Sequence, residues 1–134
     1  MTALSTYAEL KILDLLFKNT SYTSPNAYIG AFTSDPTDSA SGTEASGSGY
    51  ARVQIDDKMS SATAGTDNSS ITNSSAITFS AASGGAWGTI THIGIFDASS
   101  SGNLLAHGAL AASKTISDGD TLQINASALT ITID

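Results

Sequence analysis

An antiparallel β-sandwich of about seven strands, preceded by one α-helix, is the all-β fold that three features of the sequence predict. One wide apolar helical pattern occupies residues 4–18, and no later segment repeats it. From residue 27 onward, apolar residues recur with a period of two, in short runs separated by Ser, Gly, Asn and Asp clusters. Charged residues make up only 13% of the 134, about half the usual share, and hydroxyl side chains take their place. A chain of this length forms one domain and buries roughly two-thirds of its unfolded surface without a metal or disulfide staple. The expected division is a helix over residues 1–19, a candidate docking element, and a sandwich over residues 20–134.

In the helix, Leu4, Tyr7, Ala8, Leu10, Ile12, Leu13, Leu15, Leu16 and Phe17 make an apolar face wider than one stripe. Ser5 or Thr6 can cap its start, Glu9 suits the first turn, and Asn19-Thr20 ends it. A helix this apolar needs cover, either from its own sandwich or from a neighbouring subunit. Leu13, Leu16 and Phe17 are therefore candidate interaction residues.

Residues 27–33 read as a strand, followed by a Ser34-Asp35-Pro36-Thr37-Asp38 turn and a polar run over 39–49 that reads as a flexible loop. Residues 50–55 read as a strand with Ala51, Val53 and Ile55 inward and Tyr50, Arg52 and Gln54 outward. A second polar loop spans 56–73, and Ile77 and Phe79 mark a short strand. In 89–96, Ile90 and Phe96 fall on one face and Ile93 and Ile95 on the other, which predicts a central strand covered on both sides. Turn residues 97–103 join it in a hairpin to an apolar strand over 104–112. Asp118-Gly119 is the strongest short hairpin signal, and alternation in 122–126 and 129–133 gives two half-buried strands.

The net charge of -7 comes with five scattered basic residues, so no stripe exists to neutralise phosphates or to bind an anionic membrane surface. Cysteine is absent, which excludes disulfides and thiolate metal sites. Thr2 to Thr6 holds no basic n-region, Asp14 breaks the apolar run, and no segment approaches the roughly twenty apolar residues of a membrane helix. The expectation is a protein made and folded in a cytoplasm.

A catalytic site needs convergent titratable groups, and few are present. His92 and His107 lie on the two strands of the predicted hairpin and read as cross-strand, hydrogen-bonded structural histidines, with no Glu or Cys nearby to complete a ligand set. Asp56, Asp57, Asp97, Asp118 and Asp120 sit in loops, where turn chemistry accounts for them without calcium. No catalytic residue, cofactor or metal is expected. Trp87, after Gly84-Gly85-Ala86, reads as a lid on the core; its alternative is a sugar-stacking platform on a carbohydrate-binding module. The apolar excess of the helix and of 89–96 and 104–112 predicts self-association, as a homotrimer.

Four blocks carry a resemblance: residues 31–38 with 47–52, residues 87–98, residues 102–110, and residues 119–132. Together they resemble a family of small tailed-bacteriophage virion proteins, often labelled tail-fibre-like or virion structural protein. The resemblance implies a particle component without catalysis, located in the virion. It leaves two locations with different partners. A capsid decoration, or cement, protein would bind the major capsid protein, and small size without a coiled-coil or repeat stalk points that way. A tail-fibre or baseplate accessory protein would bind other tail proteins. In either case the loops 39–49 and 56–73 would be attachment arms.

Overall fold

The computed structural model describes residues 3–133. Met1, Thr2 and Asp134, at the outer ends of the two expected segments, lie outside the described residues. In chain order the elements are β1 (Ala3–Leu4), α1 (Thr6–Phe17), β2 (Tyr28–Phe32), β3 (Val53–Gln54), β4 (Thr63–Ala64), β5 (Ser69–Thr72), β6 (Ile77–Thr78), β7 (Gly88–Phe96), β8 (Leu104–Ile116), β9 (Gln123–Ile124) and β10 (Thr130–Ile133). A 3-10 turn, Asp56–Lys58, follows β3.

The fold is mostly β with one N-terminal helix, but it is not one sandwich of about seven strands. Ten strands among the described residues form three separate sheets, ordered β1-β8-β7-β2-β3, β10-β5-β4 and β6-β9. All pairings are antiparallel. Period-two patterning assigns side chains to faces and says nothing of partners, so one sheet and three look alike in sequence.

The central strand is β7, paired to β2 on one side and β8 on the other, and both its faces are covered. Ile90, Ile93 and Ile95 enter the main core with Ile29, Ile77 and Phe79, while Phe96 joins Phe32 and Leu104 in a second cluster. Phe32 and Phe96 stack at 5.9 Å. Fully burying each such side chain contributes about 1.5–3 kcal/mol. Gly94 makes the second cluster possible, because a Cβ there would lie 2.9 Å from both rings. Ile90 departs from the alternation that placed it with Phe96. The β7–β8 register slips between Ile90 and His92, where Leu110–Ser113 of β8 fall out of the pairing, and the slip turns Ile90 into the main core.

The two polar runs are built into the fold. In the first, Glu44 bridges Phe32, Ala45 is buried, and Pro36 O accepts from Ser41 N at 2.7 Å. The second contains the 3-10 turn and the β4–β5 pair, and β5 pairs with β10. Asn73 closes it. Its side chain, 1% exposed, donates to Ser75 O (2.9 Å) and Asn125 O (2.8 Å) and accepts from Leu129 N (2.8 Å).

Candidate interaction surface

The helix begins at a fixed point. Ser5 is the N-cap, fully buried, with an extended backbone that lets its Oγ accept from Ala8 N at 3.2 Å. The same hydroxyl donates to Leu104 O, and Ser5 N donates to Leu105 O at 2.9 Å. One side chain thus caps α1 and ties it to β8, and β1, just before it, pairs with β8 at Ala3–His107 and Leu4–Ala106. At the far end Asp14 O accepts from Lys18 N, Thr20 N and Thr20 Oγ1, and Asn19 takes a left-handed backbone (φ 55°) that stops the helix.

Only one side of α1 meets the domain. Ala8 is its single buried residue, and Ala8, Ile12 and Leu15 face a groove of about 280 Å³ completed by Tyr22, Pro25 and Leu105. The outer side carries Leu10, Leu13, Leu16 and Phe17, which are 59%, 54%, 65% and 80% exposed. The helix is therefore apolar on two faces; the domain meets one, leaving Leu15 46% exposed over the groove, and the other stands open. Of the sequence-predicted interaction residues, Leu13, Leu16 and Phe17 fall together on this open stripe.

Trp87 does not join them. It is 4% exposed, edge-on to Tyr50 at 5.2 Å and Phe79 at 6.3 Å, and its Nε1 donates to Ser48 O at 3.3 Å. A buried indole offers no face for a sugar to stack on, so the carbohydrate-platform alternative fails and Trp87 belongs to the core.

His92 and His107 are diagonal neighbours across β7 and β8, since His107 pairs with Gly94 and His92 with Ala109. Their partners come from the turn after β2. His107 Nε2 lies 2.9 Å from Asp38 Oδ1, and His107 Nδ1 lies 3.4 Å from Asp35 Oδ1. His92 Nε2 is 4.0 Å from Asp35 Oδ2. The Asp35 carboxyl is held below its ordinary value, first by the Thr37 backbone N–H and then, against some desolvation, by the two imidazoles. No group of three or more His, Cys, Asp or Glu among the described residues could hold a metal ion. Of the loop acids, Asp120 and Asp97 serve their own turns, accepting from Ser117 N and Asn103 N, whereas Asp118 and Asp56 tie distant segments together, accepting from Gly84 N and Ala27 N.

Sequence reasoning missed a second polar cluster. Arg52, expected to face outward, has a side chain only 7% exposed and grips Glu44 with two hydrogen bonds, Nε to Oε1 at 2.8 Å and Nη2 to Oε2 at 2.7 Å. Its Nη1 donates to Ala98 O and Ser101 O in the β7–β8 turn, and its guanidinium lies 3.4 Å from the Phe96 ring centroid. Tyr50 Oη donates to Glu44 Oε1 at 2.7 Å and accepts from Ala31 N. Burial alone would raise the Glu44 carboxyl, but the hydrogen bonds from Arg52 and Tyr50 and the guanidinium charge hold it low. Burial, then the Glu44 carboxylate, pushes the Tyr50 phenol up. Gly30 leaves room for the cluster, since a Cβ there would stand 2.7 Å from Glu44 Oε1. The one available signal was the isolation of these charges, a single Glu in a Ser/Gly/Ala/Thr run and the chain's sole Arg.

A family model described as podophage GP4 fiber I protein gp80 matches residues 3–132. The chain belongs to this family. It is a non-enzymatic structural protein of a phage virion, in line with the resemblance carried by the four sequence blocks. The fibre in the family's description backs the tail-fibre alternative better than the capsid-decoration role that small size favoured. No curated protein matches the chain.

Proposed function

We propose that this chain is a tail-fibre component held in its assembly through the outer face of α1. The family's description supports the fibre, and the open stripe supports the means of attachment. Exposed apolar patches on an otherwise well-buried domain mark interaction sites. This one stands on a helix whose first turn is locked to β8, so it is presented rigidly and cannot fold back under its own domain. The observation that carries the reading is the exposure of Leu10, Leu13, Leu16 and Phe17 on one side of a pinned helix.

The chain is a passive building block. Its attachment rests on shape and apolar contact, and its dispersed basic residues give no concentrated positive patch to steer docking. Leu13→Asp and Leu16→Asp test this, because both side chains are exposed and their replacement leaves the fold intact. Particles grown with either variant are expected to lack the protein while circular dichroism of the purified variant matches wild type. Normal incorporation of both variants would overturn the attachment reading.

A further inference from the structure

The polar clusters close on themselves: Arg52 is matched by Glu44 and two carbonyls, and His107 by Asp35 and Asp38. The outer stripe of α1 is different, and we propose that it binds the same stripe of a second copy of this chain, the two helices antiparallel about a two-fold axis near their midpoints. This rests on the reading above that the stripe is an attachment surface, and it names the partner.

The spacing is that of a helix seam. Thr6, Leu10, Leu13 and Phe17 follow one another at intervals of four, three and four, which lines them along one side, with Leu16 on the flank. In an antiparallel pair Leu10 of one copy meets Leu13 of the other, and Phe17 meets the small Thr6, so the bulky end of each helix fits the narrow end of its partner. The four large side chains expose on the order of 500 Å² per copy, and doubling that reaches roughly the 1,000 Å² of a specific interface.

Charge also favours a second copy at this place. The chain carries -7 overall, yet the helix and its cap hold Glu9 and Asp14 against Lys11 and Lys18, so the whole acidic excess lies elsewhere. Two copies meeting here face little of the repulsion that opposes contact over the rest of the surface.

The orientation follows from the seam's flanks. Glu9 and Asp14 lie on opposite sides of it, five residues apart, the relation that a parallel pair brings into contact between chains. Parallel helices would therefore set carboxylate against carboxylate twice. Antiparallel helices separate Glu9 from Asp14 of the other copy, and they set each Phe17 against the small Thr6 where parallel helices would set Phe17 against Phe17. A two-fold pair of this kind differs from the homotrimer expected from sequence alone, and sedimentation distinguishes the two.

The absence of cysteine makes cross-linking clean. Thr6→Cys and Phe17→Cys variants of the full chain would be oxidised mildly, singly and mixed, and wild type and Leu13→Asp sedimented at tens of micromolar. The expected result is a disulfide dimer from the mixture, none from Phe17→Cys alone, a wild-type dimer, and a Leu13→Asp monomer. Cross-linking of Phe17→Cys alone would overturn the antiparallel arrangement. A monomeric wild type with no cross-link in the mixture would overturn self-pairing. In that case, loss of Leu13→Asp from particles would show that the stripe docks on a different partner, and its retention would sink the attachment reading as well.

Discussion

Truncating Trp87 to alanine removes the largest side chain of the main core. The indole is 4% exposed and meets Tyr50 and Phe79 edge-on, so the truncation loses both the transfer term and two ring contacts, and leaves a cavity between the remaining rings. Trp→Ala changes of this kind cost about 3–5 kcal/mol, and each favourable aromatic pair contributes about 0.5–1.5 kcal/mol beyond area. The indole hydrogen bond adds little: at 3.3 Å it is long, and its acceptor, the Ser48 carbonyl, keeps a second bond from Ser83 N at 3.1 Å. The expected loss is about 4 kcal/mol, read as a lower urea midpoint at unchanged slope, with a fall in melting temperature of roughly 10–20 °C. Trp87→Phe, which keeps a ring in the site, should lose less than half as much. A loss below about 1 kcal/mol for Trp87→Ala would refute the core assignment and reopen a surface role for the indole.

Three further outcomes follow from the same geometry. Because the folded Glu44 carboxyl lies below its ordinary value of 4.5, its ionisation stabilises the fold above that value, and the contribution is lost as pH falls through the lower, folded value. Equilibrium unfolding against pH should therefore show a falling acid limb below about pH 4.5, and Glu44→Gln should flatten it without abolishing it, since Asp35 and Asp56 are also held low. Asn73→Leu strands the Leu129 N–H and the Ser75 carbonyl, while Asn125 O keeps its bond from Ala128 N, which should cost about 2–4 kcal/mol by denaturant unfolding. Occupancy on purified particles should stay flat or rise slightly between about 0.05 and 0.5 M monovalent salt, because screening acts on exposed charges and the stripe carries none; release of intact protein at moderate salt would count against apolar docking.

The helix was legible because every signal for it is local. The 3.6-residue pattern, the Ser5 cap and the Asn19-Thr20 stop lie within one short segment, and the observed Thr6–Phe17 agrees with the expected span to within two residues. The second role of Ser5, its bond to Leu104 O, joins residues 99 apart and leaves no trace in periodicity. The width of the apolar face was readable too, though not which half the domain would cover. Arg52 was misassigned because alternation was applied to 50–55 as one strand, whereas only Val53–Gln54 pairs and the residues before it follow the demands of Glu44. The ring of Tyr50 likewise turns inward, into the Phe79–Trp87 cluster. The polar runs looked free because few of their residues are apolar, yet the buried Ala45 and Asn73 secure them.

A fibre component sits on the tail, and a decoration protein sits on the capsid lattice. Locating this protein on intact particles separates the two, by gold-labelled antibody or by difference density between wild-type particles and particles lacking the protein. The expected result is label or density confined to the tail, at fibre positions. Label spread over the capsid lattice would contradict it and restore the decoration role that size alone had favoured.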